Sequence, residues 1–178
     1  ELVDMWQQSR LSVAGNRQST QALGDMFEIF LDDGIKQTEG QYFTPWPVCD
    51  FMIDCIPEIH GNEPPRVLDF ACGAGHFLTE YFNRRIAPVD DDSARALAAA
   101  QLHGIEKEYR LSKVSKVASA MYGALDAQIH YADTLSDSTF KGKGLGDKFD
   151  VLLSNPPYSV DGFLTQLDSE SRESLAVS

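Results

Sequence analysis

Asn155, Pro156, Pro157 and Tyr158 stand in a row directly after the apolar run FDVLLS. With proline at about 5% of average usage, a preset Asn-Pro-Pro-aromatic string has on the order of one chance in a thousand of arising in a chain this long. Two prolines stiffen the backbone as it leaves an extended run, so the Asn155 amide and the Pro156 carbonyl can point together into a cleft. Tyr158 adds a flat face beside them. Two oxygen acceptors and an aromatic platform suit an amine carried on a planar ring. The bland alternative is a strand stop followed by a surface tyrosine.

A second cluster lies earlier, in VLDFACGAG. An apolar run ends at Asp69, and Gly73 and Gly75 would let the backbone pass close to a ligand before a helix that begins near His76. A dinucleotide fingerprint requires a third glycine three residues after Gly75, where Leu78 stands, and an acid about 20 residues further on is missing too. No Gly-Lys-Ser/Thr follows, so nothing here would hold a triphosphate. An adenosyl ligand without phosphates fits better than either. A tight turn without any ligand is the competing reading.

Glu106 follows the run LHGI, at a strand end where a carboxylate could accept from both ribose hydroxyls, or could simply be solvated. Asp133 ends the run QIHYA and either accepts from an adenine amino group or caps the turn DTLSDS. His60, His76, His103 and His130 show neither metal-ligand spacing nor a carboxylate partner, so no metal site is expected. Cys72 reads as a small residue packed inside the glycine turn, not as a nucleophile.

These residues need strand ends to carry them, and the chain supplies the elements in order. Leu23, Met26, Phe27 and Phe30 fall at helical spacing between Thr20 and Asp33. Thr44 and Pro45 offer an N-cap and a first-position proline for a helix through VCDFMIDCI. RVLDF, QLHGI, QIHYA and FDVLLS read as four strands, the last as the clearest buried one, with helices between them; one of these helices carries Leu111, Val114, Ala118 and Met121 on one face. Strand–helix alternation predicts parallel α/β units, with ligands outside the carboxyl ends of the strands. The lysines of KGKGLGDK read as a soluble loop.

Composition narrows the class. A chain of 178 residues with 43% apolar and 24% charged residues is one soluble domain's worth. No apolar run approaches the roughly 20 residues of a membrane span. Cys49, Cys55 and Cys72 cannot all pair and lack Cys-x-x-Cys spacing, so a reducing, cytoplasmic setting is expected. A net charge of -12 argues against the surface as a whole gripping phosphate backbones. A start at Glu1 and a polar finish at Ser178 suggest a fragment of a longer protein.

Taken together, GQYFTP (Gly40 to Pro45), DFACGAG (Asp69 to Gly75), GIE (Gly104 to Glu106), ADTL (Ala132 to Leu135) and NPPY (Asn155 to Tyr158) resemble the N6-adenine DNA methyltransferases, most closely the modification subunit of type I restriction systems. The resemblance implies a Rossmann-like, class I S-adenosylmethionine-dependent fold. Residues 1–39 would form a helical N-terminal segment, and residues 40–178 the N-terminal part of the catalytic domain. It implies that Tyr42, Phe43 and Thr44 close over the methionyl end of S-adenosylmethionine. Asp69, Ala71, Gly73 and Gly75 would surround its amino acid part, Glu106 would hold the ribose and Asp133 the adenine. Gln41, Pro45, Cys72, Ala74 and Thr134 belong to the same motifs and are counted with the cofactor site. Asn155, Pro156, Pro157 and Tyr158 would take the target base.

The implied activity is methyl transfer to N6 of adenine in DNA. The implied partners are DNA, reached through a missing C-terminal region or a specificity subunit, together with restriction and specificity subunits. Two features depart from the family pattern: Phe70 replaces the usual proline, and four strands stand where about seven are usual, so activity of this piece alone is not implied. Protein-glutamine and RNA-guanine methyltransferases also carry Asn-Pro-Pro-Tyr, and GQYFTP before the glycine motif weighs against them. A non-catalytic cofactor-binding fragment is the remaining alternative.

Overall fold

The structure, a computed structural model, describes residues 44–136, 145 and 148–157. The expected helix from Thr20 to Asp33, the segment 1–39, Gln41, Tyr42, Phe43 and Tyr158 lie outside the described residues, as does most of KGKGLGDK. Four short strands follow the apolar runs: β1 (Val67–Asp69), β2 (Leu102–Glu106), β3 (Gln128–Tyr131) and β4 (Val151–Leu152). All pair in parallel, in the order β3-β2-β1-β4. Helices α1 (Trp46–Asp54), α2 (His76–Tyr81), α3 (Asp92–Ala99) and α4 (Tyr109–Met121) flank them, and α2 runs on into a π-helical turn, Phe82–Ile86.

That strand order decides where a ligand can sit. From β1 the sheet grows to one side through β2 and β3, and to the other through β4. The carboxyl ends of β1 and β4 therefore flank the point where the order reverses, the crevice at which open parallel sheets bind ligands. The glycine turn leaves β1 at that point, and Asn155 leaves β4 there.

The larger core lies between one sheet face and the helices, with Val67, Leu102, Ile129 and Val151 packed against Cys49, Ile53, Phe77, Leu78, Tyr81 and Phe82. Fully burying a side chain such as Ile53, Leu78 or Leu102 contributes roughly 1.5–3 kcal/mol. Leu68, Ile105 and Leu145 form a smaller cluster on the other face, joined by Phe70, Ala132 and Phe149. Phe70, the residue that departs from the family pattern, thus packs beneath the sheet while Asp69 and Cys72 are buried on the helical side.

Two expectations need correction. FDVLLS was expected to be the clearest buried strand, but only Val151 and Leu152 pair, and Leu152 is 62% exposed because its side chain lies on the thinly covered face. Thr44 does not cap α1: Pro45 occupies the cap position and no side chain bonds the helix start. The Thr44 hydroxyl is engaged elsewhere, as described below. The far end of α1 is held by Arg85, whose Nη2 donates to the carbonyls of Ile53 (2.9 Å) and Ile56 (2.6 Å). Arg84 adds an ion pair to Asp50 at 3.3 Å and another to Asp54.

Gly104, in the middle of β2, is tightly enclosed by neighbouring side chains. A Cβ there would lie 2.9 Å from Cys72 Sγ, 2.9 Å from Ile129 Cδ1 and 2.9 Å from Leu78 Cδ1. Gly104→Ala is therefore expected to destabilise the fold by about 1–3 kcal/mol through overpacking. Urea unfolding checks this; an unchanged midpoint would mean that the core yields at that position.

Candidate functional site

The turn after β1 is built from small residues under steric constraint. Gly73 and Gly75 adopt φ of +53° and +88°, conformations that favour glycine. Gly75 also has Ser115 against it, since a Cβ would stand 2.5 Å from Ser115 Oγ. At Gly73 a Cβ would meet nothing within 4 Å and would project into open space. Cys72 is buried beneath the turn with its Sγ 3.7 Å from Ser115 Oγ, as a small packing residue should be. Burial pushes the Cys49 thiol up to about 12 and the Cys72 thiol well above its ordinary value. Neither is a thiolate, so neither offers a nucleophile.

Around the turn opens a small cavity of about 40 Å³. Thr44, Asp69, Ala71, Cys72, Gly73, Ala74, His76, Phe77 and Asn155 line it. Three motifs widely separated in sequence thus share one cavity. Asn155 is half-buried, and its Nδ2 donates to Thr44 Oγ1 at 3.1 Å. That bond explains why Thr44 is not a helix cap, and it leaves Oδ1 as the acceptor on the other arm of the amide. Pro156 and Pro157 are exposed beyond it.

Glu106, Asp133 and Thr134 are not part of the cavity wall. Glu106 is buried and bridges two elements: Oε2 accepts from the Gly73 N–H at 2.9 Å and Oε1 from the Glu108 N–H at 2.6 Å. The first of these bonds carries the glycine turn on the end of β2. Asp133 caps its own turn, accepting from the Leu135 N–H at 3.0 Å, and lies 3.2 Å from Lys107 Nζ. Thr134 donates its hydroxyl to the Phe70 carbonyl, tying the β3 turn to the β1 turn.

The residue that sequence reasoning missed is His76. Its Nδ1 lies 3.1 Å from the Thr44 carbonyl oxygen, and its ring stacks on Trp46 with centroids 4.6 Å apart. A lone histidine without partners at characteristic spacing carries no signal for this, because its partner lies 32 residues earlier. The only cue was its position at the start of the helix after the glycine turn. Among the described residues no helix is long and apolar enough to cross a membrane.

Comparison with known proteins gives consistent matches. The family model described as N-6 DNA Methylase matches residues 18–176. The chain is 24% identical over 164 residues to the Type II methyltransferase M.VspI of Vibrio sp. (strain 343), covering 92% of this chain and 35% of that protein. It is 26% identical over 144 residues to the Type I restriction enzyme MjaVII methylase subunit of Methanocaldococcus jannaschii, covering 80% of this chain and 23% of that protein. Among solved structures, a modification subunit assigned to a type I restriction enzyme of Vibrio vulnificus YJ016 superposes with a TM-score of 0.64 at 23% identity, covering 87% of this chain and 32% of that one. The likeness establishes the Rossmann-like α/β fold. The chain spans about a third or less of the length of these proteins.

Asp69 is the buried carboxyl of the cavity wall. It is 1% exposed, and burial, with the nearby Glu106 carboxylate adding to it, pushes its pKa from 3.8 to about 7 against the lowering effect of hydrogen bonds from Ala71 and Ser154. Between those two values the folded protein holds a proton that the unfolded chain has released, so stability falls as pH rises through this window and levels off above it. Asp69→Asn keeps the Oδ1 acceptor and removes the titration. Thermal melts from pH 4 to pH 8 are expected to show the variant gaining on the parent as pH rises; a constant difference across that range would show that Asp69 is ionised throughout.

Proposed function

The chain belongs to the N-6 DNA methylase family, and from that premise we propose that it forms the cofactor pocket and base-binding tip of an enzyme that methylates N6 of adenine in DNA. The observation that carries this reading is the shared cavity, where the glycine turn of β1 and the Asn155 amide meet at the reversal point of the sheet. S-adenosylmethionine fits the residues present. Asp69 is a buried carboxyl on the cavity wall, suited to an ammonium group, and open space lies over Gly73. Cys72, Ala71 and Ala74 keep the wall narrow, and Thr44 offers a hydroxyl beside them. Glu106, with two lone pairs spent on backbone N–H groups, retains acceptor capacity for a ribose, and Asp133 stands at the next strand end for the adenine. Gln41, Tyr42, Phe43, Pro45 and Thr134 complete the set implied by the motifs. When bound, this cofactor supplies an electrophilic methyl group on a sulfonium.

What the chain's own residues do follows from their chemistry. Adenine N6 is a poor nucleophile because its lone pair is delocalised into the ring. Hydrogen bonds from N6 to Asn155 Oδ1 and to the Pro156 carbonyl localise that pair and orient it, so no strong base is required. Thr44, by holding Asn155 Nδ2, keeps the oxygen arm of the amide free for the base. Tyr158 stacks on a base taken out of the duplex and offsets its lost neighbours.

A net charge of -12 supports a division of labour in which DNA is gripped by other parts of the protein and by a specificity subunit, with a restriction subunit as a further partner in the cytoplasm, while this segment does the chemistry. Residues 1–178 alone are then expected to bind duplex DNA only weakly, and tight, salt-sensitive binding in a gel-shift titration would contradict that division. In the full-length protein with its partners, Asn155→Ala is expected to lower transfer of a labelled methyl group to DNA by about a hundredfold or more, with cofactor affinity by calorimetry unchanged. Undiminished turnover would remove Asn155 from the mechanism.

A further inference from the structure

His76 opens α2 directly after the glycine turn and lines the cavity beside Thr44, Gly73 and Asn155. Its ring is gripped by Trp46, which tilts in turn against Tyr122 at the end of α4, with ring centroids 6.2 Å apart. A carbonyl oxygen can only accept, so the 3.1 Å contact with the Thr44 carbonyl requires His76 Nδ1 to carry a proton. Thr44 is thus held at its main chain by His76, with the Cys49 thiol on the same carbonyl at 3.7 Å, while its hydroxyl receives Asn155 Nδ2. The two arms of a carboxamide diverge from one carbon, so fixing the nitrogen arm also fixes the direction of the oxygen arm.

Asn155 needs such support. Two residues separate it from a strand that is itself only two residues long, it is only half-buried, and it precedes two exposed prolines. Thr44 has no helix-capping bond of its own to hold it, because Pro45 takes the cap. We propose that His76 is a positioning residue: through Nδ1–H it fixes Thr44 as a strut, and the strut aims the Asn155 amide oxygen into the cavity. This rests on the reading of Asn155 as acceptor for the substrate amine and deepens it.

The test separates the strut from that reading. In the 178-residue chain, nitrogen-15 shifts of His76 at neutral pH are expected to show a proton on Nδ1, and a neutral ring protonated only on Nε2 would overturn the proposal. His76→Phe keeps the ring and loses the donor; His76→Asn keeps a donor at the δ position. His76→Phe and Thr44→Val are each expected to shift the Asn155 side-chain amide resonances, with no further shift in the double variant, whereas His76→Asn restores the parent spectrum. Unmoved Asn155 resonances in His76→Phe would sink the strut whether or not methyl transfer occurs. Should His76→Phe fail to fold, His76→Leu serves in its place with the same two outcomes. In the full-length protein the single-turnover rate at saturating cofactor is expected to fall about tenfold in His76→Phe, the size of one hydrogen bond acting at second hand. Spectra that respond as expected in a protein that transfers no methyl group would sink the role of Asn155 and leave the strut standing.

Discussion

One carboxylate oxygen joins the two halves of the site. Asp69 Oδ1 accepts from the Ala71 N–H at 3.1 Å, within the glycine turn, and from Ser154 Oγ at 2.9 Å, on the residue before Asn155. The turn that shapes the cavity floor and the strand exit that carries the amide are therefore braced on the same atom, at the end of the central strand β1. The cost is a carboxyl buried almost completely, a group that water would otherwise stabilise strongly. Two hydrogen bonds offset part of that cost, and burial, with Glu106 adding to it, still holds the pKa above its ordinary value.

Steric limits around that brace are as strict as the hydrogen bonds. Gly75 must pass over Ser115, Gly104 must clear Cys72, Leu78 and Ile129, and Cys72 must stay small to fit between them. Small residues at these positions bring the start of α2 down onto β2 and α4. As a result the Gly73 N–H reaches Glu106 on the neighbouring strand. The glycines of the motif serve backbone shape in one place and close packing in another, and only Gly73 faces open space where a ligand could lie.

How much of this could be read from the sequence depends on the range of each interaction. The four strands were legible because each is an apolar run ended by a turn signal, and local signals suffice for that. The Asp133 turn cap was legible as an alternative for the same reason, since its bond spans two residues. Thr44 was misread because the local rule for helix caps competes with a partner 111 residues away, and the distant amide wins. The exposure of Leu152 followed from which sheet face is thickly covered, a property of topology that no apolar run reveals. His76 was invisible as a functional residue because its importance lies in contacts with Thr44 and Trp46, which only the folded arrangement brings within reach.

The electrostatics of the cavity bear on the kind of ligand it favours. Asp69 on its wall and Glu106 behind the turn are both held above the usual carboxylate range, chiefly by burial, and Asp69 further by the proximity of Glu106. A ligand bearing positive charge stabilises the ionised forms of both and recovers part of what their burial cost, whereas a phosphate brings like charge to like charge. The glycine turn therefore departs from phosphate-binding loops in more than its missing third glycine and lysine. Its backbone is shaped for close approach, as theirs is, but the Gly73 N–H that could have cradled an anion already bonds a carboxylate of the protein itself. With that donor spent and two acids close by, recognition shifts to acceptor groups, which supports the proposed cationic, hydroxyl-rich cofactor over a phosphate.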